Sequence, residues 1–242
     1  MLTLTNPELY NEIVAGEHWF ESRLVIGPGT WEEAINLYDE QIISISTQYG
    51  LFSGEEVSVG GCIASELTAV VFEPERTVPK MALVRVLVRA CNSEKSSEWI
   101  SQGFFWIDTR EVTQNDDGLN ILTLHCYDAM LKTEADFPVT THSWPASALT
   151  VVYDIATKIG VGVDSRTVAY LSQSSWEIFG LPLGYSMREV LSQIANKFAG
   201  NWVMTYLGQL RLVLLGDIPP ETNYLVTAQD EAITFGGDRI LV

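Results

Sequence analysis

Trp99-Ile-Ser-Gln-Gly-Phe-Phe-Trp-Ile-Asp-Thr-Arg-Glu-Val-Thr-Gln-Asn-Asp-Asp-Gly-Leu-Asn-Ile-Leu-Thr-Leu-His-Cys126 decides how the first half of the chain is read. From Trp99 to Ile107 the stretch is aromatic and β-branched without polar alternation, which predicts a strand covered on both faces. Asn115-Asp116-Asp117-Gly118 is a strong turn signal, and Leu119, Ile121, Leu122, Leu124 and Cys126 predict a second strand after it. Asp108 and Glu111, candidates for the two carboxylates that glycoside hydrolysis needs, then fall on a solvated strand end. Working backwards, Val84, Val86 and Val88 face one way and Arg85 and Arg89 the other. Glu66 to Phe72 forms an earlier strand stopped by Pro74, and before it Ile43, Ile45 and Thr47 alternate with Ser44, Ser46 and Gln48. With His18 to Ile26 added, the spacing predicts an antiparallel barrel or sandwich.

Helical signals flank and follow these strands. Asn6-Pro7-Glu8 gives an N-cap, a first-turn proline and an early acid for a helix ending at Gly16. Shorter helices are predicted from about Trp31 to Tyr38 and from Asp128 to Lys132. Past Phe137-Pro138, Leu149, Val152, Ile155, Ala156 and Ile159 lie at helical spacing within Ala146 to Ile159, with Gly160 as the stop. Ser186-Met187-Arg188-Glu189 is a capping box. The stripe of Met187, Val190, Leu191, Ile194, Ala195 and Phe198 follows it, ended by Gly200. Trp202 to Tyr206, Leu207-Gly208 and Gln209 to Leu215 read as a hairpin, and Gly236-Gly237 centres another beyond Pro219-Pro220. The expected fold is therefore α+β and mainly β. Its parts are a barrel-type domain over 1–136, an α+β subdomain over 137–206, and further strands over 207–242. The chain either ends at Val242 or continues into more domains; both stay open.

Composition excludes several functions. The formal net charge is -17, from 31 Asp+Glu against 14 Lys+Arg. Sequence-independent nucleic-acid binding needs Lys and Arg against phosphate, and an anionic membrane surface repels this balance. An acidic wall still lets DNA pass without holding it. No basic leader precedes Arg23, and no apolar run nears the ~20 residues of a membrane span. Membrane insertion is not expected. Cys62, Cys91 and Cys126 are read as reduced, partly buried thiols.

A search for chemistry finds no assembled site. Gly60-Gly61 lacks both phosphate-loop spacings and reads as a bulge or tight bend before a strand. His125 and Cys126 are adjacent, so a strand points them to opposite faces. His18 and His142 have no second ligand at helical or hairpin spacing. No nucleophile elbow occurs. Trp99, Trp106, Trp144, Trp176 and Trp202 sit in apolar segments and are read as core or subunit interface, although aromatic rings can also stack on sugars. No catalytic, cofactor or metal residue is assigned.

Val57-Ser-Val-Gly-Gly-Cys-Ile-Ala-Ser-Glu-Leu67 resembles a motif of tail-tip and baseplate-hub proteins from phages and prophages of Gram-positive bacteria. Segments resembling that family recur in order at Phe72–Met81, Ser97–Ile100, Gly103–Arg110, Leu124–Leu131, Val163–Thr167 and Gly184–Val190. The resemblance covers roughly residues 40–215. It implies β-barrel modules related to the tail tube with an inserted α/β piece, assembled as a trimeric hub between tube and distal fibre or spike. It also implies a virion location after synthesis in the host cytoplasm, and DNA passing through the lumen. An acidic or neutral lumen wall is expected. The residues after Gln209 are too few for a full second barrel, and no lytic domain is carried over. A cell-wall glycan hydrolase or a carbohydrate-binding receptor module is the alternative.

Overall fold

The computed structural model describes residues 6–27, 34–52, 56–140 and 142–217, together with the pairs 234–235 and 238–239. Helix α1 (Pro7–Val14) opens it, with the Asn6 side chain accepting from the Leu9 amide at 3.0 Å. Seven strands follow: β1 (Trp19–Ile26), β2 (Ile35–Tyr38), β3 (Ile42–Gln48), β4 (Glu66–Phe72), β5 (Leu83–Cys91), β6 (Ile100–Gln114) and β7 (Asn120–Tyr127). They form one antiparallel sheet in the order β2-β1-β5-β6-β7-β4-β3. Its outermost strands, β2 and β3, are consecutive in the chain and joined only by the 3-10 turn Asp39–Gln41. So short a link draws the two edges together at that end, and the sheet curls into a half-barrel.

Alternation fills the inside of the curl. Leu67, Ala69 and Val71 of β4, Phe105 and Ile107 of β6, and Leu122, Leu124 and Cys126 of β7 are buried there with Leu24, Ile26, Leu37, Val84 and Val86. Each large side chain among them contributes about 1.5–3 kcal/mol on burial. Residues on β6 between these face the opposite way and are covered too. The Arg85 guanidinium lies 4.9 Å from the Phe104 ring centroid, and the Lys132 ammonium 3.6 Å from that of Trp106. The two-sided burial expected for Trp99 to Ile107 is present in part: Phe105 and Ile107 are buried, whereas Phe104 and Trp106 on the other face are half-buried. Beyond a bulge at Asp108 the strand runs on, solvent-exposed, to Gln114. Asn115 then holds the turn, its side chain accepting from the Asp117 and Leu119 amides.

A second layer packs outside the half-barrel. It comprises β8 (Ala146–Ser147), α2 (Ala148–Ile159), β9 (Gly162–Val163), α3 (Ser165–Leu171), β10 (Glu177–Ile178), α4 (Met187–Lys197), β11 (Gly200–Met204) and β12 (Gln209–Leu214). The strands β11-β12-β9 make a small sheet in which β9 runs parallel to β12. Val152, Ile155, Leu171, Leu191, Ile194, Trp202 and Leu210 bury one face of it under the helices. Lastly β13 (Thr234–Phe235) pairs antiparallel with β14 (Asp238–Arg239), as a hairpin about Gly236-Gly237 requires. The other strand candidates beyond Pro219-Pro220 lie outside the described residues.

Several expectations are corrected. The helix predicted from Trp31 to Tyr38 is instead strand β2 over its described part, because Ile35 and Leu37 alternate inward against β1. Ile43 is exposed although its alternation placed it inside. A bulge between Ile42 and Ser44 shifts the register, so Ile42 packs on the core. Helix α2 starts at Ala148, since Ala146 and Ser147 pair with β10 and the Ser147 hydroxyl caps the Thr150 amide. Gly200 is not the helix stop. Ala199 takes the left-handed conformation, whereas a Cβ on Gly200 would come 2.6 Å from the Val213 carbonyl oxygen. Helix α3 had no periodic signal strong enough to find; Asp164 caps it by accepting from the Arg166 amide at 3.0 Å.

The capping box is formed as expected. Glu189 accepts from the Ser186 amide at 2.7 Å while its own amide donates to the Ser186 hydroxyl at 3.2 Å. Ser186→Ala should lower unfolding stability at neutral pH by about 1 kcal/mol in urea titrations. The Ser186 amide and hydroxyl hold the Glu189 carboxyl below its ordinary pKa. Its contribution is therefore present above the ordinary glutamate range and lost as pH falls through the lowered value. The Ser186→Ala penalty should shrink correspondingly in acid.

Candidate functional site

The crossing between β3 and β4 is bonded through its backbone to a strand of the outer layer. The Gly60 amide donates to the Gly200 carbonyl at 2.9 Å, the Trp202 amide to the Gly61 carbonyl at 2.7 Å, and the Ile63 amide to the Trp202 carbonyl at 3.2 Å. The crossing thus runs alongside β11, with a parallel bridge between Cys62 and Trp202. Asn201, almost fully buried, clamps it from the side: Oδ1 accepts from the Gly61 amide at 2.6 Å and Nδ2 donates to the Ser58 carbonyl at 2.7 Å. Gly60 has φ +81, and a Cβ there would come 2.5 Å from the Asn196 side chain. Gly60-Gly61 is therefore a close backbone passage and not only a bend.

Polar side chains lock both ends. Arg188, from the capping box, donates to the Cys62 and Met130 carbonyls at 2.9 and 3.3 Å, with the Glu134 carboxylate 2.8 Å from Nε. Asp128 accepts from the Ser65 and Met130 amides at 2.8 and 2.9 Å. Burial pushes its carboxyl pKa up, against these hydrogen bonds and the Arg188 charge. Sequence reading missed Arg188, Asn201 and Asp128 as clamps. Arg188 had been visible only as a residue inside a capping box, and partners 126 residues apart leave no local signal.

The residues weighed for chemistry are dispersed. Cys62, Cys91 and Cys126 are buried free thiols, and burial pushes Cys62 and Cys126 up to about 12. His125 is exposed beside Thr68, opposite in direction to buried Cys126. His18 contacts the Gly16 carbonyl. His142 does gain an acid: its Nε2 is 2.8 Å from Asp154 on α2. Asp108 and Glu111 lie on the exposed limb of β6. Trp202 is fully buried, its indole donating to the Leu191 carbonyl at 2.7 Å. Trp99 is covered by the Arg89 guanidinium at 4.5 Å, and Trp106, Trp144 and Trp176 pack on the outer-layer core. Among the described residues no group of three His, Cys, Asp or Glu could hold a metal, and no helix is long and apolar enough to cross a membrane.

The interlocked body also presents large apolar and aromatic side chains outward. Phe179 is 84% and Leu183 68% exposed beside a cavity of about 360 Å³ walled by Trp176, Ile178, Leu181, Tyr185 and Val190. Trp19, Phe20 and Tyr38 are exposed on β1 and β2. Large exposed apolar groups of this kind are a common feature of contact surfaces. Near them the outer face of β1 and β5 carries Arg23, stacked on Tyr38, and Arg89, paired with Glu21 at 2.6 Å.

No protein-family model matches the chain, and no curated protein does. Among solved structures it is similar to the tail protein from Neisseria meningitidis, at 12% identity over 79% of this chain and 50% of that one, with a TM-score of 0.49. It is also similar to the 43 kDa tail protein of prophage MuSo2 from Shewanella oneidensis, at 11% identity over 79% and 52%, TM-score 0.44. The lidded Francisella PdpA–VgrG complex matches at 6% identity over 81% and 28%, TM-score 0.48. The chain spans about half the length of the first two of these proteins' chains and 28% of the third.

Asn201→Ala should destabilise the fold by about 1–3 kcal/mol, because it leaves the Gly61 amide and Ser58 carbonyl without their partner; equilibrium denaturation reads this directly. The hydrogen bond from Asp154 raises the His142 pKa above the ordinary imidazole value. A raised pKa places the pair's contribution below the ordinary value and removes it as pH rises through the raised one. An imidazole titration by NMR should show this, and Asp154→Asn should bring the midpoint back down.

Proposed function

We propose that this chain is a structural protein of a phage or prophage tail, a homotrimeric baseplate hub at the tail tip. It would join the tail tube to distal fibre or spike proteins around a lumen that conducts DNA. The observation that carries this reading is the use to which the Val57–Leu67 motif is put. Its two glycines let the backbone pass Asn196 and Asn201, and its cysteine is a buried thiol with its pKa pushed up to about 12. At neutral pH such a thiol is protonated and a poor nucleophile, so the motif serves mechanical integrity. The ordered resemblance to tail-tip proteins supports the same reading, as do the exposed aromatics at the β1–β2 edge. The assignment to phages of Gram-positive bacteria stands on that resemblance alone.

Within this unit we take residues 1–136 as the tube-like module and 137–206 as the α+β subdomain. The β11–β12 hairpin spans residue 206, so Gln209–Leu214 goes with the subdomain and only the remainder with any further strands.

Sedimentation velocity at several concentrations tests the proposal. A trimer should form, with no reducing ends released from peptidoglycan. A monomer at every concentration, or hydrolysis abolished by a single carboxylate substitution, would contradict it.

A further inference from the structure

We propose that the cavity between β6 and the outer face of the β11–β12 hairpin binds a single carboxylate group. It has a volume of about 320 Å³, and Tyr49, Gln102, Arg166, Thr205, Tyr206 and Arg211 stand in its wall. Strand alternation puts Arg211 there: Leu210 and Leu212 are buried in the outer-layer core, so the residue between them points the other way. Its Nε is out of reach of solvent with no hydrogen-bond partner, and the guanidinium acts on the Asp164 carboxylate only at longer range than an ion pair. A half-buried cation left in this state is costly, and a carboxylate is the group that its planar fork fits.

Arg166 supplies a second guanidinium. Its Nε and Nη2 form a fork on Asp164 at 2.9 and 2.8 Å, and the side chain is otherwise 60% exposed. Two arginines and one aspartate leave one uncompensated positive charge in a chain of net charge -17. That balance suits a monoanion. A phosphate dianion would set excess negative charge beside Asp164. Val203 and Met204 add an apolar wall that fits a short aliphatic stem, as in a glutamate side chain. The Tyr49 hydroxyl donates to the Gln102 carbonyl, fixing its ring as part of the wall. The carboxylate comes either from an acidic side chain of an assembled protein chain or from a free small acid.

The test is NMR of the Arg Nε–Hε resonances of the full chain, with Arg211 assigned by Arg211→Lys. The probes are acetyl-glutamate methylamide, its glutamine counterpart, acetate and inorganic phosphate. The glutamate probe should give a saturable shift of the Arg211 signal, and the glutamine probe none. Arg211→Gln should abolish binding, and Arg166→Gln, at an exposed position, should weaken it several-fold, each with unchanged circular dichroism. Saturation by acetate as tight as by the glutamate probe points to a free acid. A preference for the glutamate probe, with self-association reduced in Arg211→Gln, points to a protein side chain. Absence of saturation, tighter binding of phosphate, or binding unaffected in Arg211→Gln would overturn the proposal.

Discussion

Residues 58–65 leave one sheet, run alongside a strand of another and return, and Gly60, Gly61 and Ile63 are bonded through their backbone to that strand. A backbone amide buried without a partner costs as much as a lost hydrogen bond. Along the half-buried stretch Gly60–Ile63, β11 and Asn201 accept from and donate to the crossing. In turn β11 exposes an open edge unless the crossing covers it. Each layer thus completes the hydrogen bonding of the other, and neither the half-barrel nor the helical layer is a finished surface alone.

Side chains extend this dependence beyond the backbone. Trp106 belongs to the central strand of the half-barrel but packs on the outer-layer core, under the Lys132 ammonium. Arg188 sits in the first turn of α4, yet its guanidinium holds carbonyls of the crossing and of the turn after β7. A mutation at any of these points loosens two cores at once. Two layers coupled in this way hold the outer aromatic patches in fixed relative positions.

Much of the fold is legible in the sequence where the signal is local. The Asn115–Gly118 turn, the capping box at Ser186 and the β11–β12 hairpin each depend on residues within a few positions of one another. The misreadings arise where distant structure overrides local pattern. Ile43 alternates correctly in sequence, but a bulge set by pairing with β4 turns it outward. Gly200 looks like a helix stop, yet the neighbouring strand requires it. Gly60-Gly61 reads as a bend because Asn196 and Asn201, which fill the space around it, are far along the chain. The clamp residues and the arginine-lined cavity are invisible for the same reason: each is built from segments that meet only after folding.

The central claim is that the crossing makes the two layers one cooperative unit. Native-state hydrogen exchange of the full chain tests it most directly. The account predicts that the amides of Gly60, Ile63 and Trp202 exchange only through the global unfolding that also exposes the β6 amide of Ile107 and the α4 amide of Ile194. Exchange at Gly60 and Ile63 through a lower-energy opening, with β6 and α4 still protected and opening at separate free energies, would contradict it.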